Sequence, residues 1–563
     1  VEVLLTDVLS TIPGWAINKA MQAFGVEAPE KIRANPYCLH QFGVKLAIVD
    51  GVAKKLGVAT EGNVHRSIAI AEGELERQVL SGHCYVHTHT LAVKAGCTKA
   101  QLGGDGTIVV EGEKATLRRI HAAETFIAEA LNAPIDAWAF STTAESLPTA
   151  PSSVIFDGED LQFDSQQAVA YALIACSTAP LGIITGAPGT GKTTCARAAL
   201  RALELDRQRF ALCAPTGKAA QRFAQVTGYP AQTIHRLLEW RGTFQRNQLN
   251  PLDVDVVLVD ESSMIDLLLA ADLVAAIDFT RTRLILIGDA DQLPPVGPGS
   301  FFLDLIDSQR VPVVKLETLH RSAEGSWIYR NASKIIAGGK VELEDCVDFE
   351  WMQITSSEAF AIAGIVADAL KALVDPAGSN WARDDIQVMS PQKNKDGGVH
   401  QLNRELKIAL NANKGLSAHI NEGEDTQTVH VGDRVIQTKN NYELGVFNGE
   451  TGEIDAIMSP SLIRVRFGKE YRTYKGAALK QLMLAYACTV HRMQGSEAPV
   501  AVVVCHSIHG IMLNRRLFYT AVTRARKRVI IVGDERGVKQ ALSTKVDLTR
   551  RTQLVRRLRD VAA

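Results

Sequence analysis

Residues 182–195 read Gly-Ile-Ile-Thr-Gly-Ala-Pro-Gly-Thr-Gly-Lys-Thr-Thr-Cys and hold the most specific chemistry in the chain. From Gly186 through Ala187, Pro188, Gly189, Thr190, Gly191 and Lys192 to Thr193 they fit G-x-x-x-x-G-K-[ST] without substitution. Leu181, Ile183 and Ile184 lead in, and helix formers from Ala196 to Leu200 lead out. The pattern predicts a strand, a glycine loop and a helix. Such a loop turns successive backbone N–H groups inward around an anion, and the helix N-terminus adds partial positive charge. Lys192 then reaches the β- and γ-phosphates of a nucleoside triphosphate, and the Thr193 hydroxyl offers a ligand to Mg²⁺. A structural glycine turn would need neither the Lys-Thr pair nor the strand and helix around it.

Other groups could turn such binding into work. Val256-Val257-Leu258-Val259 reads as a buried parallel strand ending in Asp260 and Glu261. This pair divides labour between holding the Mg²⁺ shell and polarising an attacking water. Leu284 to Ile287 leads to Gln292 and a stiff Pro294-Pro295, placing Gln292 to sense a γ-phosphate. Upstream, Asp164 or Ser165 suits a helix cap, and the Gln167 amide offers the donor–acceptor pair that an adenine edge requires. Arg321 at a strand end and Arg524 on a helix could stabilise transition-state charge, although a salt-bridged surface arginine is the commoner case. Pro215, Thr216 and Lys218 follow a second strand, and His235 follows Thr233-Ile234. Thr489 and His491 lie in a strand and polar turn at 485–497. Each suits a phosphate or sugar contact, or plain loop duty.

The elements that must position these groups follow from the rest of the chain. Its 563 residues allow several domains; hydrophobic residues make up 46%, charged residues 22%, and the net charge is −1. That balance excludes a uniformly basic nucleic-acid coat but not a local basic channel. No apolar stretch reaches membrane-spanning length, and the first residues lack the basic start and cleavage site of a signal peptide. The 9 cysteines lack paired spacing, as expected of reduced thiols in the cytosol. Residues 8–25 and 42–57 each read as a Gly turn and an amphipathic helix. They suit either DNA phosphate contact or helical packing. His83, Cys84, His87 and His89 fall in an alternating stretch, 82–89, that reads as a strand rather than a zinc site. A helix from 116 and a Ser/Thr/Pro-rich linker should follow. Residues 241–251 read as a short hairpin, and 431–474 as several short strands of a small inserted β-barrel. The basic segment 549–559 reads as a solvated helix or tail.

Together these stretches resemble the superfamily 1 helicases of the RecD-like group, which move 5′ to 3′ on single-stranded DNA. The resemblance implies an α/β fold with two RecA-like parallel-sheet motor domains. The first would span 151–310 with a strand-splitting pin at 241–251 that includes Phe244. The second would span 311–563 with an inserted β-barrel at 424–480. A helix-hairpin-helix region at 1–65 and a helical N-terminal domain with linker at 66–150 would precede them. The implied cofactors are ATP and Mg²⁺, and the implied partners are single-stranded DNA and duplex DNA with a 5′ tail, without a membrane. The resemblance makes Gln167 the adenine reader. It places Gly186 to Thr193, Thr194, Gly495 and Glu497 at the nucleotide, with Thr193 and Asp260 at the metal. Lys192, Glu261, Gln292 and the arginine fingers Arg321 and Arg524 become the catalytic set. Pro215, Thr216, Lys218, His235, Phe244, Asn441, Thr489 and His491 fall on DNA-contacting motifs. Two departures stand out: Ser322 replaces a common Gln, and Arg492-Met493 a common Lys-Ser. A translocase without strand separation and a nucleotide-gated DNA scaffold are the alternatives.

Overall fold

The computed structural model describes residues 12–560 except 105, 142–150, 152, 157–158, 319–325, 344–346, 375–380, 412, 414, 422–425, 442 and 545–549. Arg321 and Ser322 therefore lie outside the described residues.

Two parallel sheets carry the chain. The first has six strands in the order Val313–Leu316, Leu181–Gly186, Arg283–Gly288, Val256–Val259, Phe210–Ala214 and Ala231–Thr233. Its central strands are continuous apolar runs because helices cover both faces, and Val256 to Val259 are fully buried. The strand Val313–Leu316 was expected in the second motor half, but it pairs in parallel with residues 183–186. The first sheet therefore extends past the expected boundary at 310. A parallel edge strand finds its partner far away in sequence, so local pattern carries no sign of which sheet it joins.

The second sheet has five parallel strands, in the order Phe349–Gln353, Ala525–Gly533, Ala498–Cys505, Ile386–Ser390 and Ala487–Thr489. Between its strands the chain makes a five-stranded antiparallel insert from Arg434–Gln437, Thr451–Ser459, Leu462–Phe467, Glu470–Lys475 and Leu482–Leu484. Its last strand runs beyond the expected end at 480.

The N-terminal part starts with the expected short helices, Gly14–Phe24 and Leu46–Lys55, and continues with the helix Val64–Leu80. It is not wholly helical. Val86–His87, Lys114–Leu117 and Ile108–Glu111 form a small antiparallel sheet. Of the strand expected at 82–89, only Val86 and His87 pair, because a helix begins at Thr88. The helix Arg118–Ser141 follows. The hairpin expected at 241–251 contains no regular strand and closes on isolated bridges, Trp240 with Phe244 and Asn247 with Asn250.

The C-terminal segment also departs from expectation, because it is docked rather than solvated. The helix Leu554–Asp560 buries Leu554 and Leu558 completely. It packs against the helices Arg118–Ser141 and Phe301–Ser308. Before it, the Cys84 N–H donates to the Arg551 carbonyl at 2.7 Å. Glu124 accepts from the Gln553 N–H at 2.8 Å and the Thr552 hydroxyl at 3.0 Å. Arg550 donates to the Gly299 carbonyl at 2.7 Å and to those of Pro295 and Gly297, in the loop that follows Gln292. The many arginines here are answered by carbonyls and by Glu111, which pairs with Arg556 and Arg557.

Asp304 is buried under this segment, and its Oδ2 has no hydrogen-bond partner. Burial pushes its carboxyl up to about 8. Between the ordinary unfolded value of ~4 and about 8, only the unfolded chain releases the proton. The carboxyl therefore costs about 1.4 kcal/mol of stability for each pH unit of rise in that window. Asp304→Asn should remove this contribution, so that its advantage over wild type in unfolding midpoint grows from about pH 6 to about pH 7.5. An equal difference at both pH values would contradict the assignment.

Candidate nucleotide and DNA site

The strand Leu181–Gly186 ends at the glycine loop, and the helix Lys192–Leu205 begins from Gly191. Gly189 and Gly191 both have φ near +90°, which L side chains rarely adopt. A Cβ on Gly186 would stand 2.5 Å from the Leu316 carbonyl oxygen, so the loop root tolerates no side chain. Lys192 donates to the carbonyls of Gly186 at 2.6 Å and Ala187 at 2.9 Å. Burial pulls its ammonium down, and Asp289, Asp260 and Glu261 oppose that pull.

A cavity of about 280 Å³ lies above the loop. Both motors line it: Gln167, Lys192, Thr193, Asp260, Glu261 and Gln292 from the first, Glu497 and Arg524 from the second. Asp260 stands at the end of its strand, as expected, and accepts the Glu261 N–H at 2.9 Å. Burial, then the neighbouring Glu261 carboxylate, raises the Asp260 carboxyl. Glu261 sits at φ 52°, ψ 38°, the left-handed region. Such a backbone in a non-glycine residue costs about 1–3 kcal/mol and recurs at active sites. It follows directly from the turn that sets the two adjacent carboxylates on one cavity wall.

Gln292 is buried and donates to Asp289 at 3.2 Å, while its Oε1 has no partner. Its backbone is held by the second motor: Arg516 donates to the Gln292 carbonyl at 2.9 Å, and the Leu293 N–H donates to Thr520 at 3.1 Å. Arg524 is buried and donates to the carbonyls of Thr520 and Ser496, both at 3.1 Å. Gln167 completes a capping box with Asp164 and donates through Nε2 to the Thr190 carbonyl at 3.2 Å. Both ends of its amide are thus engaged within the protein. It ties the capped helix to the phosphate loop, and an adenine contact requires that amide to exchange partners.

Of the expected DNA residues, Thr216 and Lys218 fall where the first motor meets the second motor and the insert. Thr216 caps the helix Gly217–Thr227, and Thr489 caps the turn at 490–493; in each the hydroxyl oxygen accepts and the O–H proton stays available. A Cβ on Gly495 would stand 3.3 Å from Thr216 Oγ1, so the two motors meet here. Lys218 and His491 are half-buried, and loss of solvent pulls the basicity of both down. Asn441 is committed within the insert region: it donates to Gln481 at 3.0 Å and accepts from the Leu444 N–H of its own turn at 3.0 Å. His235 is gathered with Phe244 and Trp240, at ring centroid separations of 5.4 Å (His235–Phe244) and 4.6 Å (Trp240–Phe244). Trp240 is 40% exposed and Leu249 97% exposed. Pro215 lies at the end of the strand Phe210–Ala214.

Several residues were not anticipated. Asp289 accepts from the Tyr519 hydroxyl across the motors at 2.8 Å. A Cβ on Gly189 would stand 3.3 Å from the Tyr329 ring, so that ring packs on the phosphate loop. Arg222 lines the cavity, and Trp240 completes the aromatic group. Only Asp289 had a local signal, since it directly follows the strand Arg283–Gly288.

Two parallel sheets that share one phosphate cavity define a tandem RecA-like nucleotide motor. Residues 162–356 match the family described as an AAA domain. Residues 402–467 match the ATP-dependent RecD-like DNA helicase SH3 domain, and residues 484–532 the UvrD-like helicase C-terminal domain. The ATP-dependent RecD2 DNA helicase of Deinococcus radiodurans is 37% identical over 380 residues, covering 67% of this chain and 50% of that protein. The RecBCD enzyme subunit RecD of Mycolicibacterium smegmatis is 31% identical over 446 residues, covering 70% of this chain and 75% of that one. The crystal structure of Pif1 helicase from Bacteroides in complex with ADP-AlF3 and ssDNA is 20% identical, with a TM-score of 0.46 over 69% of this chain and 95% of that one. The chain belongs to the RecD-like group of superfamily 1 DNA helicases. It spans about half the length of the Deinococcus relative.

Proposed function

We propose that the chain is an ATP-dependent DNA helicase that moves 5′ to 3′ on single-stranded DNA and separates duplex ahead of it. The observation that carries this reading is the shared cavity, with Lys192, Asp260 and Glu261 from one motor facing Arg524 from the other. Hydrolysis that needs both walls couples each turnover to their approach, and that approach shifts the DNA-facing seam where Gly495 meets Thr216. Glu261 takes the role of orienting and deprotonating water, and Gln292 that of sensing the γ-phosphate, its Nε2 turning from Asp289 to donate to a phosphate oxygen while its unpartnered Oε1 accepts from water. Thr193 and Asp260 bring oxygen donors of the kind Mg²⁺ takes, and a raised carboxyl beside a second acid is the setting a divalent cation relieves. When bound, Mg²⁺ supplies charge neutralisation on the phosphate oxygens. Among the described residues no helix is long and apolar enough to cross a membrane, and we place the protein in the cytoplasm with DNA as its track.

The test is ATP hydrolysis with and without single-stranded DNA, together with unwinding of partial duplexes bearing a 5′ or a 3′ tail. DNA-stimulated hydrolysis with unwinding from the 5′ tail alone is expected. Stimulation without unwinding would favour the translocase, and no stimulation would overturn the reading.

The aromatic group supports strand separation over bare translocation. Base–aromatic stacking contributes about 1–3 kcal/mol per base, so Trp240→Ala with Phe244→Ala should slow unwinding by about tenfold or more. DNA-stimulated ATPase should stay within about twofold, since neither ring lines the phosphate cavity. Unwinding at the wild-type rate would remove the pin assignment.

A further inference from the structure

Arg222 has no part in the roles assigned above, yet its surroundings are those of a working residue. It lies in the helix Gly217–Thr227, one turn beyond Lys218 and on the same face. Lys218 stands beside the DNA-facing seam, whereas Arg222 reaches the phosphate cavity. There it meets Glu497 of the second motor at 2.7 Å, with the carboxylate side chain 9% exposed. The negative fields of Glu497, Glu261 and Asp260 all act on its guanidinium. The other two cavity cations rest on neutral carbonyls, Lys192 on Gly186 and Ala187 and Arg524 on Thr520 and Ser496. Arg222 alone of these three is held by a carboxylate, and that carboxylate belongs to the other motor.

We propose that Arg222 is a third cation of the phosphate site and exchanges partners with the nucleotide, leaving Glu497 for the triphosphate oxygens. Parting a nearly buried carboxylate from its cation is strongly unfavourable unless a new donor arrives. A nucleoside triphosphate brings both replacements, because ribose hydroxyls donate to Glu497 and phosphate oxygens accept from Arg222. The exchange therefore costs neither group its partner and replaces a cross-motor contact with two contacts to one ligand. Arg222 on this reading touches the substrate itself and acts as a donor to its phosphate oxygens. The inference rests on the reading of the chain as a DNA-stimulated ATPase.

The test compares the unmodified chain with Arg222→Gln, Arg222→Lys and the charge-reversed pair Arg222→Glu with Glu497→Arg. Steady-state hydrolysis at saturating single-stranded DNA and titration with a fluorescent ADP are the readouts. Arg222→Gln should lower kcat about 100-fold, as loss of a donor to developing phosphate charge does, with KM for ATP changing less than about fivefold. Arg222→Lys should recover about tenfold of that loss, since it keeps the charge and loses the fork. The reversed pair preserves the ion pair but leaves no cation on the first-motor wall at this position, and it should be as slow as Arg222→Gln. Full turnover by the reversed pair would make the contact merely structural and overturn the proposal, as would wild-type kcat in Arg222→Gln. If Arg222→Gln fails to fold, unchanged kcat in Arg222→Lys overturns it equally. A wild-type chain without DNA-stimulated hydrolysis would instead refute the underlying function.

Discussion

Replacing Arg524 by Ala should lower kcat for DNA-stimulated ATP hydrolysis by on the order of 10³–10⁵, the range seen when an arginine finger is removed. Arg524 is the largest fully buried side chain of the described residues, at 1% exposure, and it lines the phosphate cavity from the second motor. Its guanidinium lies between the carbonyls of Thr520 and Ser496, so its position is set by backbone rather than by a mobile partner. A cation held this way needs little reorganisation when charge develops on the transferring phosphoryl group. Truncation also leaves two carbonyls short of a donor and opens a cavity, so a fall in stability should accompany the loss of rate. Arg524→Lys separates the two effects: it restores the melting temperature in large part but little of the rate, because one ammonium cannot replace the fork. Steady-state ATPase with a thermal melt of each variant checks this. A kcat within about tenfold of wild type in Arg524→Ala would remove the residue from the catalytic set.

Glu261→Gln should lower turnover by about 10²–10⁴, the usual contribution of a positioned general base, and leave nucleotide binding intact. The amide keeps the size of the side chain and leaves the backbone at φ 52° undisturbed. It also removes the negative charge that, after burial, does most to raise the Asp260 carboxyl. Asp260 should therefore ionise more readily in the variant, so affinity for ATP in the presence of Mg²⁺ should hold or rise as hydrolysis fails. Single-turnover hydrolysis beside equilibrium binding of labelled ATP distinguishes this from a variant that simply cannot bind. Loss of binding in parallel with loss of rate would assign Glu261 to ligand holding instead of water activation.

The nucleotide site was legible because its chemistry is contiguous. The glycine loop, Lys192 and Thr193 fall within one turn of chain, and Asp260-Glu261 ends a strand whose four apolar residues announce it. Groups brought together only by folding were not legible. Arg222, Tyr329 and Tyr519 carry no local signal, since their partners lie far away in sequence. The edge strand Val313–Leu316 has a clear strand pattern but nothing local that selects its sheet. The C-terminal segment misled through its charge. Leu554 and Leu558, four apart on one helix face, were the only sign of docking among many arginines. Gln167 shows the opposite limit: it lines the cavity, but both ends of its amide are engaged inside the protein.

The docked C-terminal helix sets how the motors can move. The second motor is entered from the strand Val313–Leu316, which belongs to the first sheet, and the chain returns afterwards to rest Leu554–Asp560 on the helices Phe301–Ser308 and Arg118–Ser141. A body attached at one point can swing and twist freely about it. A body attached at two points is left chiefly with rotation about the line joining them. The second motor thus resembles a door on two hinges, its double attachment opposing sideways slip between the two sheets.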